Sequence, residues 1–136
     1  METSSQRLQK CCADSSRKSI LVVEDELLIR LIVCDELREA GHDVIEAFNA
    51  DEALDVLNAR ACPDLVISDV RMPGSLDGLG LLAIIRETHP ELPVIITSGH
   101  LEPGLAEASG ACRFLAKPYA IELIIEAAES ALATGR

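Results

Sequence analysis

The sequence predicts an α/β domain in which a doubly wound, five-stranded parallel sheet carries helices on both faces. Two observations support this fold class. Short apolar runs alternate five times with helical segments between residues 19 and 134. The runs also lack the strict polar–apolar alternation of strands that have one face in water, as expected for a covered parallel sheet. Right-handed crossovers between the strands then produce three layers.

The first elements are delimited by an apolar run and by a glycine. Ile20–Val23 is a strand candidate because it is apolar throughout. Glu26–Ala40 has helical periodicity and stops before Gly41, a residue type that commonly ends helices. Asp43–Ala47 is the second strand candidate.

Capping residues mark the next two helices. Asn49 is a suitable cap for a helix over Asp51–Asn58, which has acidic residues in its first turn. Leu65–Ser68 is the third strand, again an apolar run. Asp77 is a suitable cap for a third helix that ends at about Thr88.

The last third of the chain completes the alternation. Pro93–Thr97 and Arg113–Ala116 are the fourth and fifth strands. The segment Leu101–Ser109 between them predicts only a short helix, since a Pro-Gly pair lies near its start. Ala120–Ala133 predicts a final helix with one apolar face.

Length and charge limit the organisation and the classes of partner. The chain has 136 residues, of which 49% are hydrophobic and 2% aromatic, which suits one domain with an aliphatic core. We expect a flexible N-terminal tail over residues 1–18, one domain over 19–134 and no output domain. Residues 19–136 carry eight basic and 21 acidic side chains, a net charge of −13 that argues against nucleic acid and anionic membranes.

Localisation follows from what the sequence lacks. No apolar run approaches the roughly 18 residues that span a membrane, and the N-terminus has no signal-peptide core. The five cysteines form no metal-ligand pattern. We interpret them as buried or idle thiols of a reducing compartment. We therefore expect a cytoplasmic protein.

Polar residues collect where the predicted strands end. The first strand is followed by Glu24 and Asp25, the third by Asp69, and the fifth by Lys117, while the fourth ends in Thr97. The second strand ends without such a group. Ligands of parallel sheets bind at the carboxyl edge, at the switch point of strand order. The pattern favours the order 2-1-3-4-5 among several that sterics allow.

In that order three carboxylates crowd together and require a proton or a cation. Oxygen ligands without His or Cys indicate a hard ion such as Mg²⁺. Each residue alone has an ordinary alternative. Asp69 could form a turn or cap a helix, and the acidic run could cap the first helix and favour its dipole. Thr97 could lie in a turn, and Lys117 could be solvated. Their joint occurrence at one sheet edge favours a site for metal-assisted phosphoryl transfer.

Four motifs give the chain a family resemblance. In chain order they read "ILVVEDE", "ISDVRMPGSLDG", "PVIITSG" and "FLAKPY". They resemble the receiver domain of two-component response regulators over residues 19–134. The resemblance implies the flavodoxin-like three-layer (βα)5 receiver fold of the single-domain type.

The resemblance also implies roles for individual residues. Asp69 would be the phosphoacceptor, and Glu24 and Asp25 would hold Mg²⁺ (or Mn²⁺). The backbone carbonyl of Arg71 would be a further metal ligand, and Thr97 would supply the switch hydroxyl. Lys117 would pair with the phosphoryl group, and the Lys117-Pro118 peptide is typically cis in this family. Phe114 occupies the aromatic switch position.

Two departures from the family pattern accompany these roles. Phe114 lacks the hydroxyl of the tyrosine found in many relatives. Gly78 lies nine residues after Asp69, where many receivers have eight, so we expect a wider turn around Gly74–Leu76 and an intact site.

The function implied is a phosphorylation-dependent signalling switch. A sensor histidine kinase would supply the phosphoryl group. A downstream protein target or phosphotransfer protein would contact the face formed by the fourth helix, fifth strand and fifth helix. The chain would catalyse only its own phosphotransfer and slow autodephosphorylation, and would otherwise be no enzyme. It would be a monomer or a weak homodimer. The alternatives are a receiver-like binding module that works without phosphorylation, and an enzyme on the same fold, although no P-loop or GxGxxG signature occurs.

Overall fold

The computed structural model describes residues 17–59, 62–72, 74, 76–99 and 110–134. Strands and helices alternate up to the fourth strand, a fifth strand and a last helix complete the described elements, and each element lies within one residue of its predicted bounds. The elements are β1 (Ser19–Val23), α1 (Leu27–Glu39), β2 (Asp43–Ala47), α2 (Ala50–Asn58), β3 (Leu65–Asp69), α3 (Gly78–Thr88), β4 (Val94–Ser98), β5 (Arg113–Ala116) and α4 (Ile121–Thr134).

Two predictions fall largely outside the described residues. The helix predicted over Leu101–Ser109 lies entirely outside them. Of the predicted tail, only residues 17 and 18 are described. In the described ranges, no helix combines the length and the hydrophobicity needed to cross a bilayer.

The sheet is entirely parallel, with the strand order β2-β1-β3-β4-β5 that the polar strand ends predicted. In the register of the central strands, Val23 of β1 lies opposite Ser68 of β3. Asp69 of β3 lies opposite Thr97 of β4. Because all five strands run in the same direction, the residues that follow them meet at one edge of the sheet.

Alternate residues of each strand pack into two aliphatic cores, one on each face of the sheet. In β1, Leu21 and Val23 contribute to the core covered by α2 and α3. Ile20 and Val22 contribute to the core covered by α1 and α4. Burial on both faces explains why the strands read as continuous apolar runs.

Both predicted caps are present. The side chain of Asn49 accepts a hydrogen bond from the Glu52 amide at 2.8 Å, and that of Asp77 accepts one from the Gly80 amide at 2.9 Å. Gly41, two residues after the end of α1, has a φ of 101°, a left-handed conformation that glycine adopts without strain. These residues lie at the helix ends that the sequence predicts.

Candidate functional site

Three carboxylates meet at the carboxyl edge of the sheet. Glu24 and Asp25 follow β1, and Asp69 ends the neighbouring strand β3. Carboxylate oxygens of the three residues lie within 4.8 Å of one another. Glu24 and Asp69 are buried, with 4% and 7% of their surfaces exposed, whereas Asp25 is exposed. The acidic cluster predicted from the strand ends is therefore present.

Lys117 enters this cluster from the turn after β5. Its Nζ donates to Oε1 of Glu24 and to Oδ2 of Asp69, at 3.0 Å in each case. The side chain is 18% exposed, so the alternative of a freely solvated lysine is wrong. One ammonium group thus bridges two buried carboxylates, and the cluster keeps an excess of negative charge. The Lys117-Pro118 peptide is cis, as expected.

The crowding changes the acidity of the groups. Burial, followed by the negative charge of Asp69, raises the pKa of Glu24 to about 7 despite the opposing effect of Lys117. Burial alone would lower the pKa of Lys117, but its hydrogen bonds to Glu24 and Asp69 outweigh that effect and raise it. The acidic cluster therefore has capacity for a further positive charge.

The donor set suits a hard divalent cation. It consists of carboxylate oxygens with no sulfur or imidazole nitrogen among them, as Mg²⁺ and Mn²⁺ prefer. Asp25 and Asp69 of this set border a cleft of about 280 Å³ at the sheet edge. The residues that line this cleft are Asp25, Glu26, Asp69, Arg71, Ser98, Gly99 and Lys117. Arg71 is thus beside the cluster, and its role as a carbonyl ligand stays a prediction.

Thr97 and Phe114 occupy different parts of the site region. Thr97 is 2% exposed and lies opposite Asp69 in the sheet, where its carbonyl accepts a hydrogen bond from the Val70 amide at 3.0 Å. It belongs to β4, so its interpretation as an ordinary turn residue is wrong. Phe114 is half-buried on β5 and packs against the core beneath α2 and α3. The switch roles of both residues stay predictions.

The acidic run after β1 does not act as a side-chain cap of α1. Glu26 occupies the capping position but makes no capping hydrogen bond. Its amide instead donates to Oε2 of Glu24 at 3.2 Å. Glu24 and Asp25 thus belong to the acidic cluster, and the Glu26 side chain does not cap the helix.

Gly78 holds α3 against the end of β3. Its amide donates to the Val70 carbonyl at 2.8 Å. A Cβ on Gly78 would overlap the carbonyl oxygen of Asp69 and lie 2.8 Å from the Cα of Val70. The sequence interpretation treated this glycine only as a spacing marker.

Two further residues near the cluster were not identified from the sequence. Tyr119, in the "FLAKPY" motif, is half-buried, and burial raises its pKa to about 12. Arg30, on the first turn of α1, donates to the backbone carbonyl of Glu24. The only sequence signal for Arg30 was its place one helical turn after the acidic run.

The comparison with protein families decides the assignment of this site. Residues 20–129 match the family model of the response regulator receiver domain. The chain belongs to this family. The match to the receiver-domain model extends from β1 into α4 and includes all the site residues described above.

Relatives of known function are similar to the receiver domain over part of their length. The nitrogen assimilation regulatory protein NtrX of Azorhizobium caulinodans is 40% identical over 121 residues, 86% of this chain and 26% of that protein. The DNA-binding transcriptional regulator NtrC of Escherichia coli K12 is 37% identical over 119 residues, 85% of this chain and 25% of that protein. The chain thus spans about a quarter of the curated relatives that it matches.

Solved receiver domains have the same fold. The receiver domain of NtrX from Brucella abortus is 46% identical and has a TM-score of 0.79, with 85% of this chain and 98% of that chain covered. The receiver domain of the Francisella response regulator 1452 is 29% identical and has a TM-score of 0.82, with 88% and 100% covered. Both comparisons agree with the receiver fold predicted from the motifs.

Proposed function

We propose that this receiver domain is a phosphorylation-dependent switch that accepts a phosphoryl group on Asp69 from a phosphohistidine of a sensor histidine kinase. The observation that carries the proposal is the environment of Asp69. Its carboxylate borders the cleft at the sheet edge, is held at 3.0 Å by Lys117, and lies in a cluster with Glu24 and Asp25.

The chemistry needs a nucleophile and compensation of charge. A carboxylate has no proton to remove, so Asp69 attacks phosphorus without a general base. The new bond joins an Asp69 oxygen to phosphorus, the phosphorus–nitrogen bond breaks, and its electron pair returns to the imidazole. The barrier is the approach of one anion to another, and Lys117 reduces it through its positive charge.

The acidic cluster suits the cation that this chemistry would use. Mg²⁺, or Mn²⁺, would be held by Glu24, Asp25, Asp69 and the backbone carbonyl of Arg71, and would supply further charge compensation. The raised pKa of Glu24 supports the assignment, since a buried carboxyl beside a second carboxylate gains most from a bound cation.

Phosphorylation would then act through Thr97 and Lys117. An aspartyl phosphate carries about two negative charges and strong acceptor oxygens. We expect the Thr97 hydroxyl, at the strand end beside Asp69, and the Lys117 ammonium to move toward it. The segment after β4 would shift with Thr97, and Phe114 would turn inward. The signal would pass through the face formed by the segment 101–109, β5 and α4.

The same proposal defines the partners. A kinase delivers the phosphoryl group, and a target protein or a phosphotransfer protein contacts the signalling face. The domain would be no enzyme toward other molecules, catalysing only its own phosphotransfer and slow autodephosphorylation. The net charge of −13 over residues 19–136 is unfavourable for nucleic acid and anionic membrane partners, and we place the domain in the cytoplasm.

Intact-protein mass spectrometry tests the proposal. Acetyl phosphate with Mg²⁺ is expected to add one phosphoryl group to the wild-type chain, and Asp69→Asn is expected to abolish the addition. Asp55→Asn, at an exposed aspartate of α2, is the matched control and should be labelled like the wild type. A wild-type chain that gains no mass from either acetyl phosphate or a cognate phosphorylated kinase would contradict the proposal.

A further inference from the structure

Arg30 of α1 makes an unusual set of contacts beside the acidic cluster. Its Nη1 donates to the backbone carbonyl of Glu24 at 2.7 Å. Its Nε donates to Oε1 of Glu46 on β2 at 3.2 Å, and its guanidinium carbon lies 6.0 Å from the centre of the Phe48 ring. The side chain is only 14% exposed. Arg30 is therefore fixed in place and is not a solvated helix residue.

The carbonyl that Arg30 binds is at the point where β1 leaves the sheet. The amide of Glu24 still donates to the Ala47 carbonyl of β2, at 3.0 Å. The carbonyl of Glu24 faces α1 and receives the Arg30 hydrogen bond. The backbone of Glu24 is thus held on one side by the sheet and on the other by the helix.

The orientation of this peptide group matters for the acidic cluster. The carbonyl of Glu24 and the amide of Asp25 belong to the same planar unit. Fixing the carbonyl therefore fixes the start of the Asp25 backbone and limits the directions in which its carboxylate can point. Asp25 is the exposed member of the cluster, so it depends most on its backbone for orientation.

The anchors of Arg30 explain why arginine suits this position. A guanidinium is planar and can donate from separate nitrogens to a carbonyl and to a carboxylate while one face lies against an aromatic ring. Glu46 and Phe48 provide the carboxylate and the ring from β2 and the residues after it. A lysine has a single nitrogen and would lose part of this geometry.

We propose that Arg30 is a positioning residue of the divalent cation site, which aims the Asp25 carboxylate by holding the Glu24 carbonyl. The inference rests on the proposed function, because it assumes that the acidic cluster binds Mg²⁺. Groups that orient metal ligands typically contribute about 10- to 100-fold to metal affinity.

Arg38 offers a closely matched control. It lies on the same helix, pairs with the same Glu46 at 3.1 Å, and also donates to a backbone carbonyl, that of Val44 at 3.2 Å. Val44, however, lies within β2 and away from the acidic cluster. Removing Arg38 therefore removes a similar set of interactions without touching the peptide group that carries Asp25.

The experiment is a Mg²⁺ titration followed by the amide NMR resonances of the loop after β1. Arg30→Met is expected to weaken Mg²⁺ binding about tenfold and to shift the Asp25 amide in the absence of Mg²⁺. Arg38→Met is expected to leave both unchanged. Arg30→Lys keeps the positive charge and the aliphatic part of the side chain, so this variant should stay folded even if Arg30→Met unfolds. It should weaken Mg²⁺ binding by a smaller factor than Arg30→Met.

The outcomes separate the inference from the proposed function. A wild-type chain that binds no Mg²⁺ would refute the proposed cation site itself. If the wild type binds Mg²⁺ and both Arg30 variants retain its affinity, or if Arg38→Met loses as much affinity as Arg30→Met, the positioning role is refuted while the site stands.

Discussion

Lys117 and Asp69 are joined by a hydrogen-bonded ion pair, with 3.0 Å between Nζ and Oδ2, although 48 residues separate them in the chain. The same ammonium lies 3.0 Å from Glu24. The Lys117 ammonium therefore compensates part of the negative charge that would attract a divalent cation. It stabilises the acidic cluster and would compete with a divalent cation for it.

Substitution of Lys117 by methionine is expected to destabilise the free domain by about 2–3 kcal/mol, since two buried carboxylates lose their counter-ion. It should also tighten Mg²⁺ binding severalfold and slow labelling of Asp69 by acetyl phosphate. Urea denaturation, calorimetric titration and mass spectrometry measure these effects. Arg113→Met removes the same net charge from β5 and should change none of them. Equal effects of the two substitutions would contradict this account of Lys117.

The pKa of Glu24 predicts a dependence of stability on pH. Since the pKa is raised from 4.5 to about 7 in the folded state, the folded chain retains a proton there that the unfolded chain has released. The contribution of Glu24 to the unfolding free energy therefore falls as pH rises between about 4.5 and 7. Glu24→Gln should remove this fall, so that its stability relative to the wild type increases across the window. Urea denaturation of both proteins at several pH values tests this prediction. A difference between their unfolding free energies that does not change with pH would refute it.

Binding of Mg²⁺ should reverse that protonation. A cation favours the ionised form of Glu24, so binding at pH 6 is expected to release protons, and affinity should rise up to about pH 7. Calorimetry in two buffers of different ionisation enthalpy measures the release. Glu24→Gln should release fewer protons than the wild type, and equal release by both would assign the protons to other groups.

The sheet and the acidic cluster could be predicted because their signals are local. Apolar runs marked the strands, and the polar residues after four of them indicated the strand order that brings Glu24, Asp25 and Asp69 together. Lys117 could be assigned to the same edge because it follows β5. These inferences needed only the rule that the carboxyl ends of parallel strands share an edge.

The remaining features depend on three-dimensional contacts that no local pattern encodes. The bond of Arg30 to the Glu24 carbonyl requires the relative position of α1 and β1, and the ring of Phe48 reaches Arg30 only because β2 neighbours β1. The tight contact of Gly78 with the Asp69 backbone depends on how α3 packs against the end of β3. Spacing alone could suggest a turn but not this approach.

Substitution of Gly78 by alanine is expected to destabilise the domain by about 2 kcal/mol, because the new Cβ would overlap the backbone at the end of β3. The displacement should also slow phosphorylation of Asp69. Gly99→Ala is the control, since its Cβ would meet only the Cβ of Lys117, at 4.0 Å, and should change stability by less than about 0.5 kcal/mol. Denaturation midpoints measure the difference, and equal midpoints for both variants would show that α3 can move aside freely.

The exposed face of α1 is unusually apolar. Four large aliphatic side chains on its N-terminal half are 40–73% exposed, namely those of Leu27, Leu28, Leu31 and Ile32. Next to them a groove of about 490 Å³ runs between α1 and the turn that carries Lys117. A partner that delivers a phosphoryl group to Asp69 must approach this edge of the sheet. Apolar contacts with α1 would then contribute to its binding.

Leu28→Ser tests whether this face contacts the kinase. Leu28 is 73% exposed, so the substitution should change the unfolding free energy by less than about 0.5 kcal/mol. It is expected to slow phosphotransfer from the cognate kinase about tenfold, through lost apolar contact, and to leave labelling by acetyl phosphate unchanged. Asp35→Ser, at a similarly exposed position of the same helix, is the control. Unchanged phosphotransfer in Leu28→Ser, or equal slowing with acetyl phosphate, would exclude Leu28 as a kinase contact, because only an interface residue slows the kinase reaction selectively.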